Sequence, residues 1–105
     1  MRRGEVWWAD LPIPAGRRPV LLLSREAAYK VRSSITAAVI TRTIRSIPVE
    51  VLIGKEDGMP AKCAVNLDEI ITIPKSLLVE RISALSVEKM AAVAGAIAFA
   101  LDLRL

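Results

Sequence analysis

The sequence predicts a small, mainly β domain, in which five or six short strands form a barrel and a C-terminal helix covers it. Three observations support this prediction. Apolar residues make up 53% of the 105 residues but aromatic residues only 4%, so Val, Ile, Leu and Ala must build the core. The apolar residues fall in short runs between turn signals, and a long helical pattern appears only near the C-terminus. The length suits one domain, which we assign to residues 1–105.

The first third of the chain predicts two strands and a short helix. Residues 5–11 contain Val and Trp without helical spacing, and a Pro/Gly turn follows, so we expect a strand there. Residues 18–24 include a continuous apolar run, which is typical of a strand buried on both faces. Ser24 then opens a segment with Glu26 and two alanines, which predicts one or two helical turns.

The middle of the chain predicts a hairpin followed by a further strand. Residues 34–45 are rich in β-branched side chains, and residues 47–54 alternate between apolar and polar positions. These two segments are predicted to pair as a hairpin around Ser46. Residues 63–73 predict one or two short strands, interrupted at 66–69.

The last third predicts a helical turn, a final strand and the only long helix. Pro74 suits the first position of a short helix, and residues 79–85 alternate as a strand does. Ser86 is a good N-cap for the helix that follows. Gly95 lies inside that helix, where it indicates either close packing against another backbone or a neutral substitution. The apolar positions with helical spacing are Val87, Met90, Val93, Ala94, Ile97 and Leu101.

Several classes of protein are disfavoured by composition. Cys63 is the only cysteine, so no internal disulfide can form, and a cytoplasmic protein is expected. The chain has no histidine, which removes the commonest general base and the commonest metal ligand, and we expect neither a metal nor another cofactor. The N-terminus lacks the apolar core of a signal peptide, and the apolar run at 91–103 is too short to span a bilayer.

The charge is basic and unevenly distributed. The net charge is +4, but residues 1–50 carry nine Arg and Lys against four Asp and Glu, whereas residues 51–105 carry six against seven. A basic N-terminal half suits an anionic partner such as a nucleic acid. Mild basicity is also common in small proteins that bind no such partner, so charge alone leaves both interpretations open.

A group of cations and hydroxyls is predicted to meet at one rim of the barrel. Arginine forks bind phosphate oxygens in pairs, and threonine hydroxyls add neutral donors. Either Trp7 or Trp8 is available to stack on a base, because alternation directs the other into the core. Solvated strand ends and ordinary β propensity are the alternative explanations for the group. It consists of residues at the start of the second strand and the end of the third: Arg17, Arg18, Thr41, Arg42, Thr43 and Arg45.

The sequence resembles the MazF/PemK family of toxin endoribonucleases, the mRNA interferases of toxin–antitoxin modules. The resemblance covers essentially the whole chain. It implies a small SH3-like barrel of the CcdB/PemK type, a homodimer, metal-independent cleavage of single-stranded RNA and neutralisation by a cognate antitoxin. The stretches that carry it, in order, are MRRGEVWWADLP, GRRPVLLLSR, AAVITRTIR followed by IPVEV, and VNLDEIITIPKSLLVERISALS.

The resemblance also implies roles for individual residues. Arg18, the arginine before the proline, and Thr41 match the family's catalytic pair. The other predicted RNA-binding residues are Arg17, Arg42, Thr43, Arg45, Asp68 and Glu69, and either of the last two carboxylates could accept the 2′-hydroxyl proton.

Two departures from the family pattern affect substrate binding. The segment LPIPAG lacks the Ser-Glu-Gln type of loop that is common in the family, which affects the expected RNA sequence preference. Ile71 stands where the family often has a cation that faces the RNA.

This chemistry needs no histidine, since RNA supplies its own nucleophile, the 2′-hydroxyl beside the scissile phosphate. The enzyme must hold the in-line geometry and stabilise a five-coordinate phosphorane, and an arginine with a threonine can do both.

Three alternatives remain open: a toxin of the same fold that binds DNA gyrase without cleavage, a non-catalytic nucleic-acid-binding barrel, and an inactive family member that titrates the antitoxin. The C-terminal helix is a candidate surface for dimer contact or antitoxin docking, although most of it is predicted to pack on the core.

Overall fold

The computed structural model describes residues 1–104. Six strands and two helices follow one another along the chain, and two single 3-10 turns lie at Lys55–Asp57 and Lys75–Leu77. The elements are β1 (Glu5–Asp10), β2 (Arg17–Leu22), α1 (Ala28–Val31), β3 (Ser34–Thr41), β4 (Glu50–Ile53), β5 (Cys63–Pro74), β6 (Leu78–Ala84) and α2 (Val87–Ala100). Each predicted strand is present, and most of the predicted bounds differ from these by one or two residues.

All six strands form one antiparallel sheet in the order β4-β5-β3-β2-β1-β6. The sheet is curled into a half-barrel, and no ladder joins the edge strands β4 and β6 within residues 1–104. A side chain connects the two edges instead, because the hydroxyl of Ser83 in β6 donates to the carbonyl of Asp57, just after β4. The predicted class, a small mainly β barrel with a C-terminal helix, is therefore confirmed.

The predicted hairpin around Ser46 is wrong. β3 ends at Thr41, and β4 begins only at Glu50, so eight residues connect them. β5 lies between the two strands and pairs with both, opposite Thr41 of β3 and Leu52 of β4 at the same residue, Ala64. The reason is length: a connection of this size is far longer than the two-residue turn that sets a hairpin register.

The predicted interruption at 66–69 is a local irregularity inside one continuous strand. Ala38 pairs with Ile70, but the next residue of β3, Val39, pairs with Asn66. Residues 67–69 of β5 therefore bulge out of the ladder. Asn66 is buried and its side chain holds the bulge at both ends: Oδ1 accepts from the N–H of Asp68 at 3.0 Å, and Nδ2 donates to Glu69 at 3.3 Å.

Both faces of the sheet are apolar and covered. The concave face forms the larger core, where Leu21, Ile40 and Leu67 pack with Val93 of α2. The opposite face forms a second cluster, in which Tyr29 of α1 packs with neighbours from four strands. Burial on both faces explains the continuous apolar run in β2, which has none of the alternation of a half-exposed strand.

The C-terminal helix begins as predicted and packs with a narrow face. The hydroxyl of Ser86 accepts from the N–H of Lys89 at 3.1 Å, which is the expected N-cap. Val93 and Ala96 are buried, but Val87 and Leu101, both predicted to face the core, are 84% and 56% exposed. The helix packs against β4 and β5 along one narrow face, so its two ends lie outside the core. Within residues 1–104, no helix is long and apolar enough to cross a membrane.

Candidate active site

A cavity of about 350 Å³ opens at the rim of the half-barrel, where β2 begins and β3 ends. Five segments of the chain contribute to it: β1, the turn after β1, the start of β2, the end of β3 with the two residues after it, and the loop before β5 with the first residue of that strand. The lining residues are Trp8, Ala15, Arg17, Arg18, Pro19, Ile40, Thr41, Arg42, Thr43, Met59, Pro60, Ala61 and Cys63.

Proline at position 19 helps to explain why the cavity opens here. The ladder between β2 and β3 begins at Val20, which pairs with Val39, and it continues through the next two residues. Pro19 has no N–H to donate, so it cannot extend that ladder as other residues would. The two strand ends continue past the last pair, and the cavity lies between them.

Arg18 and Thr41 are brought to the same cavity by strand register. The last pair of the β2–β3 ladder at this end is Val20 with Val39. If the same register is continued by two residues along each strand, Arg18 lies across from Thr41. Residues directly across a ladder project to the same face, and both side chains line the cavity. The guanidinium of Arg18 donates through Nε to the carbonyl of Ala15 at 3.2 Å, which leaves both terminal nitrogens available to a ligand.

The hydroxyl of Thr41 is oriented by the chain that follows it. Its Oγ1 accepts a hydrogen bond from the N–H of Thr43 at 3.1 Å. A threonine hydroxyl has one proton to donate and two lone pairs to accept with. Because the backbone N–H occupies a lone pair, the hydroxyl proton is free to donate to an anionic oxygen in the cavity.

The cavity is strongly cationic. Arg17, Arg18 and Arg42 line it, and no carboxylate does. Arg17 also pairs with the exposed Asp10 through Nε at 3.1 Å, whereas Arg42 has no ion pair with any residue that the structure describes. Three guanidinium groups around a small concave space favour a ligand with negative charge, and phosphate oxygens match the guanidinium fork.

The rest of the lining is apolar and suits a flat ring. Trp8 lines the cavity together with Pro19, Met59 and Pro60. Trp7, on the opposite face of β1, packs against the second core cluster and donates through Nε1 to Glu5 at 3.0 Å. As alternation predicted, one tryptophan faces the core and the other is available to a ligand.

Three of the predicted RNA-binding residues do not line this cavity. The guanidinium of Arg45 is directed to Glu50, with Nε 3.4 Å from the carboxylate. Asp68 and Glu69 lie on the bulge of β5, where Asn66 binds the N–H of one and the carboxylate of the other. The structure thus brings together Arg17, Arg18, Thr41, Arg42 and Thr43 and leaves these three outside the lining.

Sequence reasoning missed the residues that the loop before β5 contributes. Four of the eight residues at 55–62 are charged, yet Met59 is 5% exposed and closes one side of the cavity. A methionine and a proline inside an otherwise polar segment were the available signal.

Burial raises the pKa of the Cys63 thiol despite the opposing charge of Arg42, so the thiol stays protonated at neutral pH and is a poor nucleophile. Within residues 1–104, no group of three or more Cys, Asp or Glu side chains is placed to hold a metal ion.

A curled antiparallel sheet with an arginine-lined cavity at its rim defines a small β protein whose rim cavity favours an anionic ligand. Residues 2–101 match the model of one family, described as the PemK-like, MazF-like toxin of type II toxin–antitoxin systems. The chain belongs to this family, which confirms the resemblance found in the sequence.

Relatives and solved structures agree with this assignment. The chain is 39% identical, over 95% of its length and 92% of the relative's, to the probable endoribonuclease MazF5 of Mycobacterium tuberculosis. It superimposes on the M. tuberculosis toxin MazF-mt6 with a TM-score of 0.89 at 33% identity, covering 96% of this chain and 99% of that one. A mycobacterial endoribonuclease in complex with its cognate antitoxin gives a TM-score of 0.89 at 30% identity, with 100% and 98% covered.

Proposed function

We propose that this chain is a toxin endoribonuclease that cleaves single-stranded RNA and is neutralised by a cognate antitoxin. The observation that carries the proposal is the convergence of Arg18 and Thr41 on one cationic cavity that contains no carboxylate. Endoribonuclease is the activity in the names of relatives at 39% identity, which supports the same reaction.

The proposed reaction is an internal transfer within the RNA. The 2′-oxygen attacks the adjacent phosphorus, the bond from phosphorus to the 5′-oxygen breaks, and the products carry a 2′,3′-cyclic phosphate and a free 5′-hydroxyl. Arg18 donates hydrogen bonds to the oxygens of the phosphorane, and the hydroxyl of Thr41 donates a further hydrogen bond. The 2′-proton passes to water, because the cavity lining offers no carboxylate to accept it. The same guanidinium stabilises charge on the leaving 5′-oxygen until water protonates it.

This mechanism needs no metal ion, so we propose metal-independent cleavage. A metal in a nuclease site clamps the attacking and leaving oxygens and neutralises charge on the phosphate. Here the charge stabilisation is assigned to guanidinium groups, which remain protonated at every physiological pH. Cleavage is therefore expected to persist in EDTA.

We propose that the apolar part of the cavity selects the bases beside the cleavage site. Bases in a duplex are stacked and paired, so a side chain can stack on them only when the strand is single. Trp8 offers a face for one base, and Met59 and Pro60 bound the space beside it. Sequence specificity follows from the shape of this apolar half, whereas the arginines contact phosphates that every sequence shares.

We also propose that the chain forms a homodimer in the cytoplasm and that α2 contributes to the dimer contact. Phe99 and Leu101 near the end of the helix are 62% and 56% exposed, and Leu103 just beyond it is 48% exposed. Several large, exposed apolar side chains within five residues of the chain are typical of an interaction surface. Light scattering should show a dimer that Phe99→Asp converts to a monomer; a monomeric wild-type protein would rule this contact out.

The activity is tested by incubating purified protein with a 5′-labelled RNA in EDTA, as a single strand and as a duplex of the same sequence. The expected result is cleavage of the single strand only, with 2′,3′-cyclic phosphate ends. Binding without cleavage would favour the non-catalytic alternatives. Among these, inhibition of DNA supercoiling by gyrase would identify the gyrase-binding toxin. Cleavage that EDTA abolishes would contradict the metal-independent mechanism.

A further inference from the structure

The segment that joins β3 to β4, residues 42–49, is fixed by side chains at both of its ends. At its start, the N–H of Thr43 donates to Oγ1 of Thr41 at 3.1 Å. At its end, Glu50 accepts from the N–H groups of Arg45 and Ser46, each at 2.9 Å and both through Oε1. Only Ile44 separates Thr43, which Thr41 holds, from Arg45 and Ser46, which Glu50 holds. The cavity-lining residues Arg42 and Thr43 therefore lie close in sequence to both sets of hydrogen bonds.

The carboxylate of Glu50 is placed for this contact. Its side chain is 1% exposed, and its second oxygen lies 3.4 Å from Nε of Arg45, whose side chain is 55% exposed. A buried carboxylate needs donors for its lone pairs, and two backbone amides with one guanidinium supply them. These contacts lie next to a residue with an unusual backbone, since Ser46 has a φ of 54°, in the left-handed region that non-glycine residues rarely adopt.

We propose that Glu50 is a positioning residue, which fixes residues 42–46 so that Arg42 and Thr43 face the cavity. Glu50 does not line the cavity, whereas Arg42 and Thr43 do. The inference rests on the proposed RNA cleavage, because it assigns Glu50 a role in that reaction through the two residues it places.

Removal of the carboxylate has a defined structural consequence. Glu50→Leu leaves the N–H groups of Arg45 and Ser46 without their acceptor, and both are free to turn to water in an exposed segment. The strained backbone at Ser46 then loses these two hydrogen bonds, and residues 42–46 are held only at Thr43, so the directions of the Arg42 and Thr43 side chains are less firmly fixed. Arg18 and Thr41 stay in place, because strands β2 and β3 position them. The loss should therefore appear in substrate binding and leave the chemical step nearly unchanged.

The test compares Glu50→Leu with Glu50→Gln, and the exposed Glu56→Gln is the control. Glu50→Gln keeps an oxygen that can accept from the two backbone amides. Amide hydrogen exchange at residues 45 and 46, followed by NMR, reports the contact without reference to activity. KM and the single-turnover rate with a single-stranded RNA report its consequence, and thermal unfolding verifies that each variant is folded.

Glu50→Leu should speed exchange at the two amides by at least about tenfold and raise KM by about tenfold or more, with the single-turnover rate within about threefold of wild type. Glu50→Gln and Glu56→Gln should stay near the wild-type KM. A wild-type KM in folded Glu50→Leu, or an equal loss in Glu50→Gln, overturns the inference. Failure of the wild-type protein to cleave RNA at all would contradict the proposed function instead, and the exchange result would still test the contact.

A second variant keeps the test valid if Glu50→Leu does not fold. A glycine inserted between Ile44 and Arg45 leaves the contacts of Glu50 intact but separates them from Arg42 and Thr43. Surface connections tolerate such insertions. This variant should raise KM as Glu50→Leu does, and an unchanged KM would show that the fixed segment has no role in binding.

Discussion

Arg18 and Thr41 lie across from each other on neighbouring strands, two residues beyond the point where the β2–β3 ladder ends. Both side chains therefore reach one cavity without any long loop to place them. Groups held by strands are positioned more precisely than groups held by loops. This placement allows a permanent cation and a hydroxyl to act on the same phosphate.

Trp8 should contribute to RNA affinity by stacking. Replacement by alanine removes the only aromatic ring in the lining, and base stacking on an aromatic side chain is worth about 1–3 kcal/mol per base. Binding of a single-stranded RNA, measured by fluorescence anisotropy, should weaken by roughly 5- to 150-fold in Trp8→Ala and much less in Trp8→Phe. Equal losses in both variants would contradict stacking as the cause.

Gly58 should resist substitution because of both its backbone and its surroundings. Its φ is 81°, and a Cβ there would lie 2.5 Å from Oγ of Ser83. Gly58→Ala should lower the free energy of unfolding by about 1–3 kcal/mol, measured by urea denaturation. Gly58→Ala should cost less in a Ser83→Ala background than in the wild-type background, because the contact with Oγ of Ser83 is then absent. A Gly58→Ala protein as stable as wild type would show that the turn adopts another conformation in solution.

Replacement of Gly95 by alanine should stabilise the protein. It lies inside α2, and a Cβ added there would meet no other heavy atom within 4 Å. The close packing that was one explanation of this glycine is thus absent from residues 1–104. Gly95→Ala should raise the free energy of unfolding by about 1 kcal/mol, since alanine favours the helix. A loss of stability would indicate that another molecule covers this part of the helix.

The protein should lose stability in acid, partly through Glu5. Burial raises the pKa of Glu5, but hydrogen bonds from Trp7, Arg81 and the N–H of Arg2 outweigh it, and the pKa lies below its ordinary value of 4.5. A carboxyl whose pKa falls on folding stabilises the protein above the unfolded pKa, and this contribution disappears as pH falls through the folded pKa. The free energy of unfolding should therefore fall below about pH 4.5, and less steeply in Glu5→Gln. Parallel curves for the two proteins would exclude this contribution.

The sequence was most informative where side-chain pattern alone determines structure. Apolar runs and alternation located the strands, and Ser86 located the start of α2, because each signal acts within a few residues. The pairing of β4 was not predictable in this way. Its partner β5 begins after a further turn, and the long connection is held by Glu50, whose role depends on contacts that only the folded chain creates.

The same distinction applies to the site. Arg17, Arg18, Thr41, Arg42 and Thr43 were predicted because strand ends next to one another in the sheet place their residues on one rim. Arg45 has the same residue type and lies nearby in sequence, yet its guanidinium is held by Glu50. Met59 and Pro60 were missed because the curl of the sheet, which no local pattern specifies, brings their loop over the cavity.

The proposed catalytic pair is tested most directly by single-turnover cleavage of one single-stranded RNA in EDTA. Wild type should be compared with Arg18→Ala, Thr41→Val and the control Arg25→Ala, which removes an exposed arginine outside the cavity lining. Circular dichroism should show that all four proteins are folded. Arg18→Ala and Thr41→Val should each slow cleavage by roughly 100-fold or more, while Arg25→Ala remains near the wild-type rate. Wild-type cleavage by a folded Arg18→Ala protein would contradict the proposal that this guanidinium stabilises the reacting phosphate.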